Sequence, residues 1–217
     1  IGYLNSDNVG VSIGAVHILN QLAKEDIRYV PIVANVYLDI LSQTNTPDLN
    51  DRKTKLILES IFTDTFDTER IVFNGLEFKS VSFSTIKNKS FTNCLFTGGS
   101  IHNVSDIVLY NCLLDSVRLM NVSNLLMHNT NINKCLFTNN SSELDRLQMY
   151  YCSITTTTIA SDKSINKLCL LDCVLERHLY IVAPKVTNMS IGVGSDMEKF
   201  ITIATDKLHS IKHNNDV

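Results

Sequence analysis

The residues of this chain best placed to do chemistry are its six cysteines, and two of them share a repeated spacing. The stretches FTNCLFTGGSI (91–101) and LYNCLLDSVRL (109–119) both carry apolar residues at positions one, six and eleven and a cysteine at position four. Thiolates stacked at such intervals could bridge a metal ion, react, or pack. A zinc shell calls for CxxC pairs or histidines at matching spacing, because four ligands must converge on one ion. No CxxC occurs. Cys169, Cys173 and His178 come nearest to a cluster, yet on an extended path the two cysteines fall on different sides. The histidines (His17, His102, His128, His178, His209, His213) are scattered. TGGS at 97–100 lacks the Lys-Ser/Thr of a phosphate loop, and no Gly-x-Ser-x-Gly or paired-carboxylate pattern stands out. The reading is of no catalytic, cofactor-binding or metal-ligating residue, and of a chain that is not an enzyme. The cysteines serve instead as compact apolar filler. Six buried, reduced thiols fit a cytoplasmic compartment, and the Asn-x-Ser triplets at Asn103, Asn121 and Asn188 read as turns.

The elements that hold these residues follow from periodicity. Residues 5–63 are expected to be helical. Val11, Gly14, Ala15, Ile18, Leu19 and Leu22 recur at three- and four-residue intervals behind Ser6 or Asp7 as N-cap. Pro31 opens the first turn of a second helix, and DRKTKLILESIFT forms a third. Short amphipathic helices of this kind must dock on something.

From about residue 69 a spacing of five replaces this pattern. Phe73, Phe78 and Phe83 give the template. It recurs as Phe91, Phe96, Ile101; Leu109, Leu114, Leu119; Met127, Ile132, Phe137; Met149, Ile154, Ile159; and Leu170, Leu175, Tyr180. All eighteen positions are apolar in a chain that is 44% apolar, which marks an internal repeat and hence a solenoid. The later, longer steps imply loops at TNNSSELD and ASDKSIN, and NMSIGVG starts a degraded seventh turn. Residues 1–68 read as an α-helical cap, 69–196 as the β-helix of about six coils, and 197–217 as a C-terminal capping segment.

Pentads such as CLFTG, CLLDS and CSITT resemble those of the pentapeptide-repeat proteins. LNSDNVGVSIGAVHILNQLAKED is similar to the segment preceding the repeats in bacterial, often membrane-attached, members. Ser6, Asp7, Val9, Gly14, Ala15, Leu19, Leu22 and Ala23 match it, and Ser12 stands where arginine is common. The resemblance implies a right-handed, four-sided β-helix. Coils of 18 rather than 20 residues imply one shortened side per coil.

Net charge is −3, with no long charge run and no apolar stretch near the roughly 20 residues of a membrane span. Residues 71–200 hold 11 basic and 10 acidic residues, against 6 and 10 in residues 1–70. Without a basic stripe, direct nucleic-acid binding is not expected. A rigid rod with flat sides and little cavity points to a non-catalytic protein-binding or scaffold module with no cofactor. The chain opens at Ile1 rather than Met, so it is expected to be the cytoplasmic part of a larger bacterial protein, attached to the membrane through an upstream region. The alternative is a DNA-mimicking, gyrase-binding protein, which some members of the resembled family are; it calls for an acidic stripe along one side.

Overall fold

The computed structural model describes residues 2–6, 8–43, 46–48, 50–68, 70–140, 143–192, 200–205, 207–208 and 211–213. Three helices lead into a parallel β-solenoid: α1 (Val9–Glu25), α2 (Val30–Ser42) and α3 (Arg52–Ile61). Asn8 caps α1 by accepting the amides of Gly10 and Val11, so neither expected cap residue does so. Ser6 instead accepts the Asn8 amide, and Asp7 lies outside the described residues. The face of α1 differs in part from the expected one, of which Ala15 and Leu19 pack against the core. Ser12, Val16 and Ala23 turn inward, whereas Val11, Ile18 and Leu22 are 40, 64 and 37% exposed. Apolar residues ring most of this helix, so periodicity alone could not select its buried side. Polar anchors select it: the Tyr37 hydroxyl donates to Val16 O at 3.0 Å and to Asn20 Oδ1 at 2.8 Å, and the Asn20 amide donates to Ser60 Oγ at 2.7 Å. Pro31 sits in the first turn of α2 as read, where its missing N–H leaves no helical bond unmade. Asp51 caps α3 through the Thr54 amide.

The solenoid has a long first side made of Ile71–Asn74, Lys89–Thr92, Ile107–Tyr110, Asn124–His128, Leu144–Tyr150, Ile165–Leu171 and Lys185–Gly192, all parallel. The second and third sides form one bent sheet. Glu77–Phe83 and Leu95–His102 each run through the bend as continuous strands. The fourth side is the shortened one, a single two-residue pair between Ile86–Lys87 and Val104–Ser105. Where that pairing ends, the buried Asn139 side chain takes over, accepting the Val122 amide and donating to the Val122 carbonyl, both at 2.6 Å.

Seventeen of the eighteen pentad centres are buried and stack in columns such as Phe73–Phe91–Leu109–Met127–Met149–Leu170. The exception is Tyr180, which is 40% exposed; Ile181 takes its place opposite Ile159. One extra residue at the Arg177–His178 corner lengthens that step from five to six. The repeat extends past the sixth coil: Ile191 pairs with Leu170, Ile201–Ala204 pairs with Leu179–Val182, and Lys207–Leu208 and Ile211–His213 add to the first side.

The cap closes the open end of the stack. Phe62 lies 5.7 Å from Phe73 and 4.6 Å from Phe83, and Phe66 meets Tyr37 at 6.1 Å between ring centroids. Lys89, a lysine with no exposed side-chain surface, reaches back from the second coil. Its ammonium donates to Asp67 Oδ1 (2.6 Å), Phe66 O (3.1 Å) and Lys87 O (2.7 Å). Burial holds it below the ordinary lysine range, opposed by the Asp67 carboxylate.

Candidate protein-docking face

The thiols are placed by the corners. Cys94, Cys112, Cys152 and Cys173, with Thr130 between them, each precede a second-side centre by two residues, and Cys135 does the same on the third side. Each is buried and caps two carbonyls, that of the residue two before it and one in the preceding coil. Cys112 Sγ, for example, lies 3.4 Å from Tyr110 O and 3.3 Å from Phe91 O, and Cys135 Sγ lies 3.3 Å from Asn133 O and 3.5 Å from Leu114 O. The Thr130 hydroxyl repeats the bond to His128 O at 3.1 Å. Such corners need a small side chain with a weak donor, and Cys or Thr meets that need. Burial pushes the Cys135 thiol up to about 11. Hydrogen bonding with Cys94 and Cys152, together with burial, holds Cys112 and Cys173 protonated well above the thiol range. Cys112, Cys135 and Cys173 are therefore not poised as nucleophiles, while the same hydrogen bonds hold their buried partners Cys94 and Cys152 below the ordinary thiol range. Cys169 lies outside this column on the first side, with its sulfur 3.9 Å from Tyr150 Oη. Among the described residues, no three His, Cys, Asp or Glu side chains converge on a metal position.

The remaining singled-out residues are also structural. Asn103 and Asn121 occupy left-handed corners (φ 48° and 52°), as the turn reading requires, and Asn121 donates to Asn103 Oδ1 at 3.1 Å. Asn188 differs: it lies within a strand and donates to Asn166 O. Gly99 of the TGGS stretch has φ 87°, and a Cβ there would fall 2.1 Å from Val81 O, so it serves the bend between two sides. His17 is exposed on α1, His178 packs near Tyr180 and Phe200, and His209 and the His213 side chain lie outside the described set.

A groove of about 760 Å³ runs between α3 and the first coils, lined by Glu59, Asp64, Ser82, Thr85, His102 and Asn103 over the rings of Phe62 and Phe83. Glu59 reaches toward Lys55 and Asn103 donates to Ser84 O, so the polar groups there are spread among structural bonds. They do not form an acid–base pair.

The outer surface of the first side is different in kind. Register puts its outward residues in three columns. In the first, Asn124, Arg146, Lys167 and Asn188 are paired in register, and Arg70, Asn88 and Asp106 stand at the same 18-residue step just before their strands, with Asp106 bonded to Asn124. The second is Val72, Ser90, Val108, Leu126, Gln148, Cys169, Ser190, of which Cys169 is buried, and the third Asn74, Thr92, Tyr110, His128, Tyr150, Leu171, Gly192. The second and third columns contain no charged residue, in a chain with 41 (19 + 22) charged residues among 217. His128 stacks flat on Tyr110 (5.0 Å, 12°) and meets Tyr151 at 5.2 Å, and its buried Nδ1 has no hydrogen-bond partner among the described residues. Beside the strip, Asn93, Asn111 and Asn129 form a corner ladder, each amide donating to the asparagine one coil earlier. The sequence reading passed over this strip because it followed only the inward centres. The signal was there: VLY, LMH and QMY flank their centres with large uncharged residues.

No protein-family model, curated protein or solved structure matches this chain.

Proposed function

We propose that this chain is a non-catalytic protein-binding or scaffold module whose docking surface is the first side of its β-helix. The uncharged, aromatic-bearing strip carries this reading. Flat surfaces depleted in charge and enriched in Tyr suit the core of a protein interface, where charged groups are costly to desolvate. The strip is rigid, because every strand beneath it is paired on both sides from Lys89–Thr92 to Ile165–Leu171. The rival reading, a DNA-mimicking topoisomerase-binding protein, needs an acidic stripe. The charged column of this side mixes Arg70, Asp106, Arg146 and Lys167, which favours the scaffold reading. Membership of the pentapeptide-repeat family is part of the proposal and is supported by the four-sided coils, stacked Phe and Leu centres and small corner residues. So is a cytoplasmic site, on the cytoplasmic side of a membrane in a longer protein, supported by six free, buried thiols.

The experiment is native capture from the source cells with the wild-type chain, Leu126→Asp on the strip, and Thr158→Asp on the third side as control. Partners retained by wild type and Thr158→Asp but lost with Leu126→Asp support the docking face. Equal capture by all three would overturn it.

A further inference from the structure

The charged column that borders the strip reads, at steps of 18 residues and then in strand register, Arg70, Asn88, Asp106, Asn124, Arg146, Lys167, Asn188. It is close to self-complementary about Asn124. Reversed and laid against itself, Asp106 meets Arg146, Asn88 meets Lys167, Arg70 meets Asn188, and no cation meets a cation. We propose that the first side is a homodimer interface, in which a second copy packs face to face with its coil axis antiparallel. The inference rests on the docking-face reading and names the partner as another copy of this chain.

A two-fold axis along the strand Asn124–His128 generates this arrangement. Strand positions stay in place while coil order inverts, as an isologous contact requires. Leu126 then meets Leu126 of the second copy at the centre, Tyr110 meets its Tyr150, and Val108 meets its Gln148. The two uncharged columns close on each other, and two Asp106–Arg146 pairs form at the border. Neither residue is in an ion pair within the described part of the chain. Among the described residues Asp106 accepts the Asn124 amide, at 2.8 Å, which keeps its carboxylate on this side. The other two-fold, along the coil axis, sets Arg146 against Tyr150 and Lys167 against Leu171. It would cover charges without counter-charges, a costly outcome. Charge pairing therefore selects the antiparallel form.

The area is sufficient. Seven strands each ~4.8 Å wide and three outward columns each ~7 Å wide cover ~34 by ~21 Å. That gives a footprint of about 700 Å² per copy before side-chain relief is counted, toward the lower end for a specific interface of standard size.

The test is sedimentation equilibrium of the full 217-residue chain across roughly 1 to 100 µM, the range in which modest interfaces populate dimers. Wild type is expected to show a concentration-dependent dimer. Leu126→Asp is expected to be monomeric with an unchanged thermal melt, since Leu126 faces outward. Arg146→Asp and Asp106→Arg alone are each expected to weaken dimerisation about tenfold or more. Together in one chain they should restore it to within a few-fold of wild type, because the swapped charges meet again. The left-handed backbone at Asp106 (φ 56°) tolerates a long basic side chain, as Lys134 (φ 50°) shows. A wild-type monomer throughout, a dimer indifferent to Leu126→Asp, or a double swap that fails to recover would each overturn the proposal. A wild-type monomer that still loses captured partners on Leu126→Asp would remove self-pairing and leave the docking face standing.

Discussion

Asp67→Asn tests how the helical cap is fastened to the coils. The substitution keeps the shape of the side chain and removes the carboxylate that accepts from Lys89. The ammonium stays fully buried with two carbonyls, Phe66 O at 3.1 Å and Lys87 O at 2.7 Å, and without that counter-charge. Breaking one partner of a buried pair costs about 3–5 kcal/mol, a large share of the roughly 5–15 kcal/mol that holds a domain folded. For a chain of this size that is a fall in Tm of roughly 6–20 °C. The sign of the pH dependence follows from Lys89. Its folded pKa lies below its unfolded value and falls further without Asp67. The unfolded chain then binds the extra proton, so the variant regains stability relative to wild type as pH rises toward the ordinary lysine range. The assay is a pair of circular-dichroism melts, wild type and Asp67→Asn, at several pH values from neutral to mildly alkaline. A combined Asp67→Asn/Lys89→Met chain is expected to recover most of the loss. A neutral-pH penalty under about 1 kcal/mol, or one that does not shrink with pH, would refute the reasoning.

Phe96 stacks on Phe78 at 4.8 Å and meets Phe91 edge-on at 5.2 Å, so Phe96→Ala is expected to cost about 3–5 kcal/mol. Phe96→Asp should melt several coils together, seen as a broad loss of hydrogen-exchange protection; a wild-type melt would contradict the register. Cys112→Ala removes a small corner filler and is expected to cost about 1 kcal/mol with no loss of partner binding. Lost binding with an unchanged melt would give that thiol a functional role. The Cys135 thiol titrates higher folded, at about 11, than unfolded, so unfolding releases its proton above the ordinary value near 9.0. Its contribution to stability is therefore expected to be level below pH 9 and to fall from pH 9 to about 11, by up to about 1.4 kcal/mol per pH unit. A Cys135→Ala chain should show a shallower slope over that window in alkaline melts.

Much of the solenoid is legible because its constraint is local and repeated. An inward centre every five residues leaves its mark whatever the rest of the chain does. The failures have local causes as well. Tyr180 was misread because one added corner residue shifts the phase, and Tyr180 and Ile181 are both apolar enough to fit. The outward turn of Val11, Ile18 and Leu22 on α1 is not legible because apolar residues lie all round this helix, and the deciding groups, Asn20 and Tyr37, are 17 residues apart. Nothing in the sequence marks Lys89 as buried, since it stands in the polar run KNKS and Asp67 and two carbonyls come over it only in the fold. The docking strip depends on register between coils of unequal length. Asn124 aligns with Arg146 only because the intervening step is 22 residues rather than 18, and a column of outward residues emerges only once the coils are stacked.

Oxidative footprinting of the natively isolated chain tests most directly that the first side is the surface this protein uses. Its tyrosines are to be compared with those of the same chain held dilute and alone. Tyr110 and Tyr151, about half exposed on or beside the strip, should be protected in the native isolate, while Tyr180 on the third side and Tyr3 on the cap should label equally in both. Unchanged labelling at Tyr110 and Tyr151, with protection appearing at Tyr180 or Tyr3 instead, would place the working surface elsewhere.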